Sequence, residues 1–338
     1  MDGVAVDQRV VAVAVGRAEL QVVAQRRRGY QAGSLFARTS SSLFGAFSLL
    51  RRGELADAAA ALRDNLELST AYGYGDDALI YRDAVHAWIL LDREGPEPAW
   101  RALSTVGGVP RHTFGGRLWL SARLSLLVAD GRDAEALALV ADLRDRYAWI
   151  VNPAEGHWGC LEATAAARLG RADQARDALD RELQEARAWG TPGTVGRVLR
   201  TRGEVLGEAG ALEEAVALLE GATRRLELAK ALAALGACTP GPAGIGLLQR
   251  AHGLATVCAA GPLARVVEGR LRDAGAAPDP AAATGPDALT RAERRVAALA
   301  ADGRDAREIA QLVFATPREV QQRLEAVRRK VGDLRAPA

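Results

Sequence analysis

Residues 126–140 read LLVADGRDAEALALV: an apolar run, a short turn around Gly131, and a second run in which Ala136 and Val140 follow that glycine by five and nine residues. The same spacing recurs at Gly53/Ala58/Leu62, Gly170/Ala175/Leu179 and Gly210/Ala215/Leu219. In each copy the glycine sits in a turn (RRGEL, ADGRD, LGRAD, EAGAL). There it can end one helix in the left-handed conformation that side chains resist, while the small alanine lets the next helix pack closely. DREGPEPAWRALS offers a worn fifth copy, with Gly95 and Trp100 in the glycine and alanine places. Successive turn glycines lie 36 to 42 residues apart, one helix pair per step, so the expected fold is all-α and the expected architecture an α-solenoid.

The composition suits such a chain. Of 338 residues 49% are hydrophobic and 25% charged, and the formal net charge of +2 excludes a polycation, so any nucleic-acid site must be local. Cys160, Cys238 and Cys258 form no C-x-x-C pair, and neither a disulfide framework nor a zinc ribbon is expected. Asp2, Asp7 and Arg9 precede a short apolar run that Arg17 and Glu19 end, which fits neither a secretory signal nor a membrane span. A cytoplasmic location is the expectation.

The helix-pair pattern resembles tetratricopeptide-like repeats, in the slightly long form found before the DNA-binding domain of large LuxR-type regulators. The resemblance covers roughly residues 30–272, within a repeat domain read as 1–272, and implies a curved surface for a protein, a peptide or a small effector. After Asp273 the sequence AGAAPDPAAATGPDA is too poor in large apolar residues to pack as a domain, and 273–286 reads as a flexible linker.

Residues 287–338 form the second domain. Helical spacing places Val296, Leu299 and Ala300 inward on a helix from about Arg291 to Ala301 that stops at Asp302-Gly303. A second helix starts near Asp305 as N-cap and buries Ile309, Ala310 and Val313. A third opens with the capping box Thr316-Pro317-Arg318-Glu319 and buries Val320, Leu324, Val327 and Val331. The last two, meeting across Val313-Phe314-Ala315, predict a helix-turn-helix.

This segment resembles the LuxR-type C-terminal domain. Leu289, Thr290, Glu293, Gly303, Glu308, Ile309, Ala310, Phe314, Thr316, Val320, Lys330 and Gly332 match its pattern in register. The resemblance implies a transcription regulator that binds promoter DNA, with RNA polymerase as a further partner. Where the family has T-V-K-x-H, this chain has Glu319-Val320-Gln321-Gln322-Arg323. Glu319 is accounted for by the capping box, and the glutamines can pair with N6 and N7 of adenine in the major groove. Projection of the third helix places Arg318, Gln322, Glu325 and Arg329 opposite the buried stripe, with Gln321 and Arg328 on its flank. Between Pro317 and Lys330 five basic residues face two acids, whereas the chain outside 287–338 sums to −1. The family's fourth helix, which supports pairing on two half-sites, is not expected in GDLRAPA, where Pro337 opposes a helix.

Enzymatic readings find no footing in the sequence. It has no P-loop, so the ATP-binding domain of the large regulators is not expected, and no H-E-x-x-H or G-x-S-x-G. The four histidines are scattered without ligand spacing, no cofactor is indicated, and GPAGIG at 241–246 reads as a helix turn. Glu319, Gln321 and the missing fourth helix leave one alternative: a helical-repeat interaction scaffold whose helix-turn-helix has lost DNA binding.

Overall fold

The computed structural model describes residues 35–72, 76–103, 113–147, 152, 156–279 and 282–332; the N-terminal stretch read above and Pro337 lie outside them. These residues form sixteen α-helices and one 3-10 turn, with no strand. They divide into two compact units, Thr39–Pro278 and the residues from Asp279 onward, with the start of the first helix, up to Arg38, grouped with the latter.

The repeat unit contains α1 (Leu35–Arg51), α2 (Leu55–Tyr72), α3 (Asp76–Arg93), α4 (Pro96–Leu103), α5 (Phe114–Ala129), α6 (Asp133–Arg146), α7 (Trp158–Arg168), α8 (Ala172–Trp189), α9 (Pro192–Leu206), α10 (Ala209–Leu219), α11 (Arg225–Cys238), α12 (Gly241–Val257) and α13 (Gly261–Asp273). Gly53, Gly95, Gly131 and Gly170 all take positive φ, from 71° to 115°. At Gly131 the helix end is closed by its own N–H on the Val128 carbonyl (3.2 Å) and by Arg132 N–H on Leu127 (2.9 Å). The turn at Gly170 repeats this arrangement, so the carbonyls orphaned at the end of the helix find donors locally. The alanines of the repeat, Ala58, Ala136, Ala175 and Ala215, are fully buried between paired helices.

Two positions differ from the sequence expectation. The helix stop is Gly207 (φ 71°), the C-cap of α9 just before EAGAL, while Gly210 already lies in the first turn of α10, where it meets no neighbour. Of two glycines three residues apart, the first ends the helix. In the worn copy the buried small residue is Ala99, not Trp100, because α4 starts immediately after Gly95 and the register moves by one. Trp100 is half-buried instead, with Arg123 and Arg132 over its ring and its indole N–H donated to Asp130.

No atom lies within 4 Å of a Cβ built on Gly131 or Gly170, so substitution there tests the backbone alone. Gly131→Val or Gly170→Val should each destabilise the repeat unit by about 1–2 kcal/mol, the cost of a left-handed backbone for a residue with a Cβ. Unchanged denaturation midpoints in both variants would refute the assignment of these glycines as helix stops.

Beyond pairing in sequence, the odd-numbered helices pack on one another: α3 on α5, α5 on α7, α7 on α9, α9 on α11 and α11 on α13. α13 then returns to α3, so the inner layer is a closed ring rather than the open curved surface that the repeats imply. Several contacts hold the seam. Leu226, Ala255, Cys258 and Ala260 share one core with Leu49, Ala84, Ile89 and Leu118, and Lys230 Nζ reaches Asp92 at 3.0 Å. Inside the ring, Trp88 and Trp158 each donate an indole N–H to a serine of α5, Ser125 at 3.1 Å and Ser121 at 3.0 Å. The buried Glu182 carboxylate of α8 accepts from Gly159 N–H (2.5 Å) and Cys160 N–H (3.2 Å), capping the free start of α7.

The second unit comprises the turn Pro286–Ala288 and helices α14 (Arg291–Ala301), α15 (Ala306–Val313) and α16 (Pro317–Val331). Its core is Val296, Leu299, Ile309, Ala310 and Val320, with Leu289, Ala297 and Val327 beside it. Both ends of the segment read as a linker are tied down. Ala276 N–H bonds the Leu271 carbonyl at the end of α13, and Gly285 N–H bonds the Lys330 carbonyl at 2.7 Å. No described helix is long and apolar enough to cross a membrane.

Candidate nucleic-acid interface

Each helix of the second unit begins with a reciprocal capping box: Thr290 with Glu293, Asp305 with Glu308, and Thr316 with Glu319. Three short helices share a small core, and at this size the caps, each worth about 1 kcal/mol, decide whether the helices form. At α16 the Thr316 N–H donates to Glu319 Oε2 at 2.7 Å and the Thr316 hydroxyl to the same oxygen at 2.9 Å. These bonds hold the Glu319 carboxyl below its usual range. Glu319 therefore serves its own helix.

The turn between α15 and α16 is made by Phe314 in the left-handed region (φ 54°, ψ 49°). Ala315 N–H closes back onto the Ala310 carbonyl at 3.0 Å. Phe314 is matched to the family pattern, yet it is 86% exposed and belongs to no core.

α16 presents the predicted surface. Arg318, Gln321, Gln322, Glu325, Arg328 and Arg329 are all exposed, opposite the buried Val320 and Val327. Arg318, Gln322, Glu325 and Arg329 follow one another by four, three and four residues and share one face. Among them Arg318 and Arg329 make no hydrogen bond or ion pair with a described residue.

Lys330 departs from the expected basic patch. Its ammonium lies 2.8 and 3.0 Å from the two carboxylate oxygens of Glu293, half-buried, and so fastens α16 to the cap of α14. It belongs to the scaffold of the unit, and the exposed cations of α16 are arginines alone. Arg294, only 1% exposed, is similarly structural, donating to the Leu289 carbonyl at 2.5 Å. Reading α16 in isolation also overlooks Arg304 and Arg307. Both are exposed at the start of α15, and no described residue pairs with either side chain.

No protein-family model matches the chain, and no curated protein matches it.

Proposed function

We propose that the chain is a DNA-binding transcription regulator of LuxR type, in which the helical-repeat unit acts as the sensor or interaction module. The observation that carries this reading is α16: a capped helix at the end of a helix-turn-helix, with exposed Arg318, Arg328 and Arg329 around Gln321 and Gln322. In this geometry the second helix enters the major groove and the first crosses the phosphate backbone. Arg304 and Arg307, at the start of that first helix, join the candidates for phosphate contact. The proposed setting is the cytoplasm, with promoter DNA as ligand and RNA polymerase as a further partner.

Gripping and reading are separable by salt. If Arg318, Arg328 and Arg329 neutralise phosphates, each arginine-to-alanine change should weaken binding to every sequence alike. It should also lower the slope of log K against log salt by about 0.9 per lost contact. If Gln321 or Gln322 reads a base, its alanine variant should lose about 1–3 kcal/mol at the cognate site and little elsewhere. Wild-type protein that fails to bind any duplex at about 50 mM salt, where electrostatic binding is strong, would refute the proposal. The scaffold reading would then stand, supported by the engagement of Lys330 with Glu293 and by the acid at 319.

A further inference from the structure

Between the inner helices lies an open cavity of about 350 Å³, within the range that holds small ligands. Its wall comes from α1, α3, α5, α7, α9 and α11, with His157 and Arg224 at the helix starts. The wall carries six cations, Arg51, Arg168, Arg197, Arg200, Arg224 and Lys230, against three carboxylates, Asp92, Glu204 and Glu227. The remaining lining is largely apolar, including Leu50, Trp88, Leu91 and Leu226.

The carboxylates are already engaged. Glu227 accepts from Arg200 at 3.0 Å and lies 3.9 Å from Lys230, while Glu204 pairs with Arg200 and Asp92 with Lys230 at 3.0 Å. Burial opposes ionisation of Glu227, yet Arg200 and Lys230 hold its carboxyl far below the usual range. The guanidinium of Arg224, half-buried, makes no hydrogen bond or ion pair with any described residue. Burial and then the nearby Arg197 guanidinium depress its pKa, which marks a cation held at a cost in the ligand-free protein. His157 adds a second unsatisfied group: its Nδ1 is buried without a hydrogen-bond partner. Burial and the charges of Arg197 and Arg51 keep the imidazole neutral. Cys160 does not make this a thiol centre, because burial and then Glu182 push its pKa up and the thiolate is suppressed. Access is open, since the Arg200, Glu227 and Lys230 side chains retain 14%, 18% and 28% of their exposure.

We propose that this cavity binds a small organic anion, a metabolite with two or three negative charges as phosphate or clustered carboxylates, gripped by Arg224 with His157 as a neutral hydrogen-bonding partner. The excess of cations on the wall supplies the charge complement, and guanidinium forks match both oxyanion geometries. The apolar wall fits a ligand body rather than a bare ion. This site stands on the repeat unit alone and does not depend on DNA binding by the other unit.

Calorimetric titration and thermal melting of the full chain test it, with pyrophosphate and citrate as probes and glucose and sodium chloride at matched ionic strength as controls. Saturable binding of either anion, with a rise in melting temperature that the controls do not give, is the expected result. Pyrophosphate alone would assign a phosphate ligand, citrate alone a carboxylate one. Arg224→Gln should weaken binding by about ten- to a hundredfold, the usual worth of a hydrogen bond to a charged group, while the ligand-free variant melts no lower than wild type. His157→Gln provides a second variant with weakened binding, and Arg272→Gln, on the outer end of α13, should bind as wild type. The proposal is overturned by the absence of saturable binding of both anions to wild-type protein, by unchanged affinity in Arg224→Gln, or by equal weakening in Arg272→Gln.

Discussion

Gly53→Val should destabilise the repeat unit by about 2–5 kcal/mol, the sum of left-handed strain and overpacking, against about 1–2 kcal/mol for the same change at Gly131 or Gly170. All three glycines have nearly the same backbone, φ 76°, 71° and 74°, so the intrinsic strain is common to them. What differs is the neighbour. A Cβ on Gly53 would stand 2.8 Å from the Leu226 amide nitrogen, 3.0 Å from Leu226 Cβ and 3.2 Å from Cys258 Sγ, whereas Gly131 and Gly170 face open space. The nearest of those atoms is backbone and has no rotamer to escape into, so α11 must move away and the seam must open. Urea unfolding of the full chain, followed at the repeat-unit transition, reads the contrast directly. Equal losses at all three positions would mean that the ring is not closed in solution.

That seam also marks where sequence reading stops. Glycine followed by alanine five residues on is a local signal, carried by backbone sterics and helix packing within one pair, and it located three of its four turns correctly. It misplaced the stop in EAGAL because Gly207 and Gly210 both satisfy a turn, and only the path of the chain chooses between them. It misplaced the small residue after Gly95 because a one-residue change of turn length leaves no trace in composition. Ring closure has no local signature at all. Lys230 and Asp92 are 138 residues apart, and nothing around either residue announces the other. The cavity cations are equally silent, since Arg197, Arg200 and Arg224 read along the chain as ordinary charged positions on or beside helices, and only the packing of α9 on α11 brings them to one wall. In the second unit the caps are legible because each is set within three residues, and the core and the exposed face of α16 because helical periodicity marks the inward side of each helix separately. Lys330 counts toward the local charge of α16 in sequence, but its partner Glu293 lies 37 residues earlier, so the ion pair that engages it has no local signature.

Val320→Asp should unfold the second unit outright and leave the repeat unit intact. Val320 is fully buried at the junction of α14, α15 and α16, packed with Val296, Leu299, Ile309 and Ala310. Removing the valine forfeits about 1.5–3 kcal/mol of apolar burial, and an unpartnered polar group in its place costs roughly 2–7 kcal/mol more. A unit of about fifty residues commands only some 3–7 kcal/mol in total, at the usual 0.05–0.15 kcal/mol per residue. The three capping boxes cannot compensate, because each stabilises a helix that no longer has a core to pack on. Thermal melting should therefore show the repeat-unit transition at its wild-type midpoint and lose the transition of the second unit. Under the proposed function, duplex binding should vanish at every salt concentration, unlike the arginine variants, which change the slope, and the glutamine variants, which change the preference. A Val320→Asp protein that still binds DNA with the wild-type salt slope would place the contact outside α16 and overturn the assignment of that helix as the DNA reader.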